Sequence, residues 1–436
     1  MALTGQPTDF SPSMIKNLSL DKYIDLASYL NEVNKPDNRA ALVKTYGSQG
    51  ITGFLQMVGA VKAQAVADEV TYWEEARLHQ LQSGTFVQAT GELTAASADA
   101  VYVRVNDIML MDGEVRVFVT DVTGAVITVV SLDGTALPAD GSYDCPVVGN
   151  LFAQGSDQNV GHFESNVVKR TNPFMIMKEV YKVTGSQATN IGWIDLGNGD
   201  YRWYIKSEAD TRQRFLDKRE MMLLLGQKAS AGFASAQAIE GSEGYFAAVE
   251  SRGIVSDDAF ASLTDIDAIV KELDKQGGAA EYALYVNRDV DLKIDDLVAA
   301  GISTGVTAGI AGQFGTFNND KDMAIELGFR TFSRGGYTFH KKDWKLLNDP
   351  TLLAESAYKG VAIPMAMVAD AKTGDKSPAL EINYKATNGY SREMEHWMTG
   401  SILGAKTGTE DNVQFNYRSE CNLITRAANR HVIIKG

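Results

Sequence analysis

The sequence predicts an α+β fold, in which strands and helices fall in separate runs rather than in regular alternation. Three stretches carry that expectation. From Thr85 to Val148 short apolar-alternating runs are separated by turn pairs. From Phe163 to Gly226 a β-hairpin runs into a charged helix. From Thr264 to Ala300 the pattern reads helix, strand, helix.

In chain order, Leu20, Ile24, Ala27 and Leu30 share one side of a helix that Asn34 to Asn38, with Pro36, stops. After Gly47, Gly50 and Gly53 a second helix is expected from Phe54 to Leu81, with Val66, Val70, Trp73 and Ala76 on its stripe. The next block alternates: Val101, Val103, Val105, then Val115, Val117, Val119. Asp112-Gly113, Thr123-Gly124, Asp133-Gly134 and Asp140-Gly141 supply the turns, which predicts a small barrel or sandwich.

Asn166 to Thr184, rich in Val, Phe, Ile and Tyr, reads as half of the hairpin. Gly192 to Leu196 and Tyr201 to Ile205 follow, joined by Gly197-Asn198-Gly199, where Asn-Gly suits a tight turn. Ser207 with Asp210 predicts a capped helix start and Gly226 its end. Nineteen residues from Ser207 to Leu225 would span roughly 28 Å. Glu208 and Arg212, then Asp210 and Arg214, stand as acid-before-base pairs four apart, with Phe215, Met222 and Leu225 on the apolar side.

Gly232 to Gly244 reads as a connection. A helix is expected from Thr264, with Asp267 at its third position, Ile266, Ile269, Val270 and Leu273 inward, and Gly277-Gly278 as the stop. Glu281 to Asn287 is a strand and Ile294 to Ala300 a short helix closed by Gly301. Further strands lie in Ile325 to His340, Ala362 to Tyr384 and Val413 to Lys435.

Composition narrows the function classes. The chain has 436 residues, 44% hydrophobic and 22% charged, which is room for two or three structural units with a large core. Its net charge of -14 argues against a dedicated nucleic-acid surface. Two cysteines, Cys145 and Cys421, are too few for a disulfide framework and fit a reducing cytosol. No run is long and apolar enough to span a membrane, and Met1 to Ser13 lacks the features of a signal peptide.

Catalytic-looking motifs read as structural. Gly301-Ile302-Ser303-Thr304-Gly305 matches a nucleophile elbow, with His340, His396 or His431 as conceivable bases, but the elbow needs a strand before its serine. Gly400 to Thr407 resembles a phosphate loop, yet Ala405 stands where a glycine must precede the lysine. Five histidines without three- or four-residue spacing give no metal pattern. Neither cofactor nor metal is expected. Trp193, Trp203 and Trp397 read as core or interface anchors.

Val183 to Trp193, Tyr204 to Glu208 and Thr211 to Phe215 resemble the major capsid proteins of crAss-like tailed bacteriophages. So do Glu69 to His79, Asn388 to Gly400 and Phe415 to Glu420. The resemblance samples both ends and the middle of the chain. It implies the Hong Kong 97-like capsid fold with an inserted small β-domain. Its divisions would be an N-terminal arm (1–53), a helix associated with the peripheral domain (54–84), the inserted β-domain (85–150) and an E-loop region (151–206). A spine helix and peripheral domain (207–245), an axial domain (246–365) and returning C-terminal strands (366–436) complete it.

Implied with it are self-association into hexamers and pentamers of an icosahedral head around double-stranded DNA, assembly in a host cytoplasm, and no enzyme activity. Portal, scaffold and decoration or auxiliary proteins would be partners, packaged DNA would be touched only non-specifically, and no membrane is involved. Trp193, Arg202, Trp203, Arg212 and Arg214 are the subunit-interface candidates, by their place on hairpin and spine. The rival expectations are an encapsulin-like compartment shell, a tail or adhesin component, and a serine hydrolase using Ser303.

Overall fold

The computed structural model describes residues 53–157, 167–190, 203–257, 260, 262–307, 331–369 and 376–436, and of residues 56–57, 203 and 298–307 the backbone alone. It is a mixed α+β chain in two compact units. The smaller takes in residues 178–217 and 395–417 along with 1–52; the larger, 53–177, 218–394 and 418–436.

Within the larger unit, strands Leu81–Val87, Glu92–Thr94, Val126–Ser131, Val115–Thr123, Asp107–Met111 and Gly141–Asn150 close, in that order, into a six-stranded barrel. Alternation fills it: Phe86, Leu93, Met109, Met111, Val117, Val119, Ile127, Val129 and Cys145 point inward and are buried. Of the two predicted runs, Val115, Val117 and Val119 form a strand of this barrel, whereas Val101, Val103 and Val105 do not: that stretch joins no ladder and buries Val103 against the core before turning into Asp107–Met111. Asp112 and Gly113 both take positive φ, 54° and 71°, the tight turn their types favour. Gly84 leaves room for its neighbour, since a Cβ there would sit 2.8 Å from the Thr94 carbonyl oxygen.

The helix expected from Phe54 to Leu81 is corrected. It stops at Met57 and gives way to strands Val61–Ala65 and Glu69–Glu75. In the second strand Tyr72 is buried while Thr71 and Trp73 face out, a period of two that β-branched and aromatic residues favour. The alternation splits the expected helical stripe, since Val70 and Trp73 fall on opposite faces of the strand.

The hairpin is corrected as well. Val167–Pro173 pairs antiparallel with Glu69–Glu75, Tyr72 opposite Arg170, and not with the following strand Met175–Thr184. Residues 191–202, which hold the expected Asn-Gly turn, lie outside the described residues. Trp203 to Ile205 belong to a helix, Trp203–Leu225, so Ser207 is no cap; its carbonyl accepts from Thr211 Oγ1 at 2.7 Å. Aromatic and β-branched residues cost a helix only tenths of a kcal/mol each, which context overrides. The predicted stop holds: Gly226 N donates to Met222 O, and a Cβ on Gly226 would lie 2.4 Å from that oxygen.

The second sheet of the larger unit runs Ile254–Ser256, Val432–Lys435, Tyr358–Pro364, Glu281–Val286, Tyr337–Asp343, Thr331–Arg334. Helices Leu263–Lys275 and Arg288–Thr307 bury Ile266, Ile269, Leu273, Val290 and Ile294 against Tyr282, Leu284, Phe339, Val432 and Ile434. The first begins at Ser262, whose N–H donates to Asp265 Oδ2 at 2.8 Å. Thr264 and Asp267 are thus displaced from the cap, and Asp267 instead receives Arg334. Gly301, expected to close a short helix, lies inside one that continues to Thr307. One mid-helix glycine costs about 1 kcal/mol, too little to end it. Val61–Ala65 runs parallel to Leu380–Thr387, which pairs antiparallel with the end of Asn412–Thr425.

Candidate functional site

The catalytic-looking motifs place nothing that resembles an active site. Ser303 sits in the body of a helix, with no strand before it. His431 is buried against the Tyr245 hydroxyl at 3.0 Å, and burial pushes it down to about 3. Gly400 to Thr407 forms a turn, with Thr407 N donating to Gly400 O. Cys145 and Cys421 are free and buried, their thiols pushed up to about 11 by desolvation. Among the described residues no group of three or more His, Cys, Asp or Glu could hold a metal ion.

The feature that stands out is the two-stranded ribbon of Glu69–Glu75 and Val167–Pro173, because its two faces differ so much. The inward face is tied down by polar bonds within the larger unit. The Asn172 amide donates to Leu423 O at 2.6 Å and Glu243 O at 2.9 Å, while its oxygen accepts from Glu243 N at 2.8 Å. Tyr72 donates to Thr425 O and receives Arg252, whose guanidinium also makes a bidentate pair with Glu243 at 2.9 and 3.1 Å. Burial pushes the Tyr72 phenol up to about 12. Glu74 accepts from Arg170 and from Ala427 N.

The outward face carries Trp73, 64% exposed, opposite Lys169, with Val167, 52% exposed, opposite Glu75. Tryptophan is usually buried, and this one stands in the open on a backbone fixed from behind. Sequence spacing alone places Trp73 on a helix and so misses this face. The alternation Val70, Tyr72, Glu74 against Thr71, Trp73, Glu75 was the available signal.

The smaller unit contains the first part of the long helix, strand Glu395–Gly400 and residues 412–417 of strand Asn412–Thr425. Glu208 accepts from the Tyr417 hydroxyl, and burial with that neighbouring carboxylate raises the phenol's pKa. His396 stacks on Tyr417 with centroids 4.9 Å apart, its Nε2 3.9 Å from Glu208. Phe215 stacks on Tyr417 with centroids 6.0 Å apart and is buried as expected; Met222, farther along the helix, is exposed.

Of the five interface candidates, Trp193 and Arg202 lie outside the described residues. Trp203 opens the helix, with its side chain outside them. Arg212 and Arg214 are exposed on the helix. The predicted Asp210–Arg214 carboxylate pairing is replaced: Asp210 pairs with Lys206, and Arg214 reaches Asp210 O and Thr211 Oγ1. Glu208 is drawn to Tyr417.

No family model and no curated protein matches the chain. Among solved structures it is similar to a chain from Gordonia phage Cozz, 8% identical, TM-score 0.45, covering 97% of each chain. It is also similar to a chain of the capsid of cyanophage P-SCSP1u, 8% identical, TM-score 0.42, covering 93% of each. A chain from the capsid of a native GTA particle is 11% identical, TM-score 0.39, with 92% of this chain and 95% of that one covered. At such scores the functional reading rests on the chain's own residues.

Proposed function

We propose that this chain is the major capsid protein of a tailed bacteriophage, of the crAss-like kind its sequence resembles, built on the Hong Kong 97-like plan. Copies assemble into hexamers and pentamers of an icosahedral head that encloses double-stranded DNA, in the cytoplasm of the host. The chemistry it performs is association with itself.

The observation that carries this reading is the outward face of the ribbon. Its backbone is fixed by Asn172, Tyr72 and Glu74, so Trp73 cannot withdraw into the core behind the ribbon, and a neighbouring subunit would bury it. In this plan the ribbon, whose second strand lies in the expected E-loop region 151–206, takes the part of the E-loop, with the barrel inserted between its strands. Trp203–Leu225 is the spine, residues 246–365 the axial domain, 366–436 its returning strands, and 1–53 the arm. Trp193, Arg202, Trp203, Arg212 and Arg214 remain interface candidates beside Trp73. Interfaces in the obligate class, roughly 2,000 Å² or more, would cover them. Portal, scaffold and decoration proteins complete the set of partners.

Microscopy and sedimentation of the expressed protein, alone and with scaffold supplied, test the proposal. Closed particles or large capsomers are expected. Trp73→Ser should shift mass toward small species, as loss of a central anchor worth about 2 kcal/mol or more would do, with the thermal transition of the dissociated chain within about 0.5 kcal/mol of wild type. A compact monomer at high concentration under both conditions sinks the reading.

A further inference from the structure

The barrel is chemically unlike the rest of the chain. Between Leu81 and Asn150 stand nine carboxylates against two cations, Arg104 and Arg116, with neither lysine nor histidine, so half of the chain's net charge of -14 lies in this segment. Its strand Gly141–Asn150 breaks register against Asp107–Met111: Met109 pairs with Val147 and Ile108 with Gly149, so Val148 is the extra residue of a β-bulge. A bulge turns side chains that alternation would have hidden. Val147 and Val148 are both exposed, Val148 to 63%, and Leu151 and Phe152 follow them into solvent.

Leu81, 52% exposed, lies on the neighbouring strand opposite Pro146. The result is an apolar strip of Leu81 with Pro146 to Val148, with Leu151 and Phe152 exposed beyond Gly149 and Asn150. Carboxylates border it. Asp144 stands two residues before Pro146 on the same outward side, held by Ser83 Oγ at 2.5 Å, and Asp99 is exposed beside Ala100, whose carbonyl receives Gln82 Nε2.

We propose that this strip is a docking surface for a basic protein segment in which Lys or Arg alternate with aliphatic side chains. Charge selects the occupant. A second copy of the barrel would bring another strongly negative surface to the same place, and like charges across an interface cost several kcal/mol. A cationic segment instead gains attraction from Asp144, Asp99 and the wider field, while its aliphatic side chains cover Val148 and Leu81. The inference stands apart from the capsid reading, since it needs only the barrel's own geometry and charge.

Fluorescence anisotropy with the full-length protein tests it, using a labelled peptide of alternating Lys and Leu as probe, with Glu-Leu and Lys-Ser peptides as comparators. The Lys-Leu peptide should bind at least about tenfold more tightly than either comparator, and more weakly as salt rises. Val148→Ser and Leu81→Ser should each weaken that binding about tenfold, Asp144→Asn should flatten its salt dependence, and Val61→Ser, an exposed valine on another sheet, should leave it unchanged. Equal binding of the Lys-Leu and Lys-Ser peptides overturns the proposal. So does a Lys-Leu affinity indifferent to Val148→Ser and Leu81→Ser, or weakened as much by Val61→Ser. Assembly is read separately by sedimentation, so a failed docking surface and a failed capsid reading give different results.

Discussion

The barrel and the six-stranded sheet of the same unit are held by different means. In the barrel the buried side chains are nearly all apolar. The buried polar residues Gln82 and Asp107 are satisfied within the segment, Gln82 by Tyr102 N and Ala100 O, Asp107 by Arg104 N. Around the sheet, buried polar groups reach across the chain. Tyr245 meets His431, and Lys341 lies between Asp295 at 2.6 Å and Asp291 at 3.0 Å. The barrel is specified by which residues are greasy; the sheet also by which polar atoms find one another. Burying polar atoms demands full pairing, so the second kind of core is more exacting and more fragile.

The largest expected effects separate the two. Lys341→Met leaves Asp295 without its cation, and Asp291 with Arg288 alone, in a site where the lysine is nearly inaccessible, and should cost about 3–5 kcal/mol, lowering protection of Glu281–Val286 and Tyr337–Asp343. Phe86→Ala opens a cavity in the barrel and should cost a similar amount, about 3–5 kcal/mol, lowering protection of Val115–Thr123. Hydrogen exchange read segment by segment checks both. If each variant loosens both regions equally, barrel and sheet unfold as one, and the contrast concerns composition only.

Acid sharpens the comparison. An unfolded histidine takes up a proton as pH falls below 6.5, whereas buried His431, pushed down to about 3, does not. Its contribution is therefore complete above about pH 6.5 and is lost as pH falls toward 3, at about 1.4 kcal/mol per unit. The barrel has no histidine, and neutralising its carboxylates relieves repulsion. Between pH 6.5 and roughly 5, exchange protection around Val432–Lys435 should fall while that of Val115–Thr123 holds. His431→Phe should flatten the profile around Val432–Lys435 even where it lowers stability outright.

How much the sequence reveals follows the same division. The barrel and its strand Val115–Thr123 were legible because strict alternation and Asp-Gly or Thr-Gly turns act over a few residues, whereas Val101, Val103 and Val105 alternate without a partner strand to pair with. Helix Leu263–Lys275, strand Glu281–Val286 and the stop at Gly226 were legible for similar local reasons. What stayed hidden depends on distant partners. Nothing near Glu220 in sequence indicates that its buried carboxylate accepts from Gly53 N and Leu55 N at 2.6 and 2.7 Å, or that Phe54 stacks on Trp344 at 4.0 Å. Those contacts fix the chain just before Val61–Ala65, in a stretch whose apolar spacing also fits a helix. Trp73 was misplaced for the same reason, since the partner strand that settles its period lies some hundred residues away.

The smallest effect concerns the one helix start for which sequence and structure differ by two residues. If Ser262 and Asp265 form the cap, Asp265→Ala removes the acceptor of both the Ser262 N–H at 2.8 Å and its hydroxyl at 3.0 Å, and should cost about 1 kcal/mol. Thr264→Ala, at the position the sequence alone favours, loses only an exposed hydroxyl contact with Ser262 and should cost less than about 0.5 kcal/mol. Chemical denaturation resolves the two, and the order matters more than the size. Leu263–Lys275 packs on the sheet through Ile266, Ile269 and Leu273, so the Asp265 variant should weaken that region and spare the barrel. A larger loss from Thr264→Ala would put the cap back where spacing predicts it, and would show that local signals extend further into the sheet region than its polar cross-links imply.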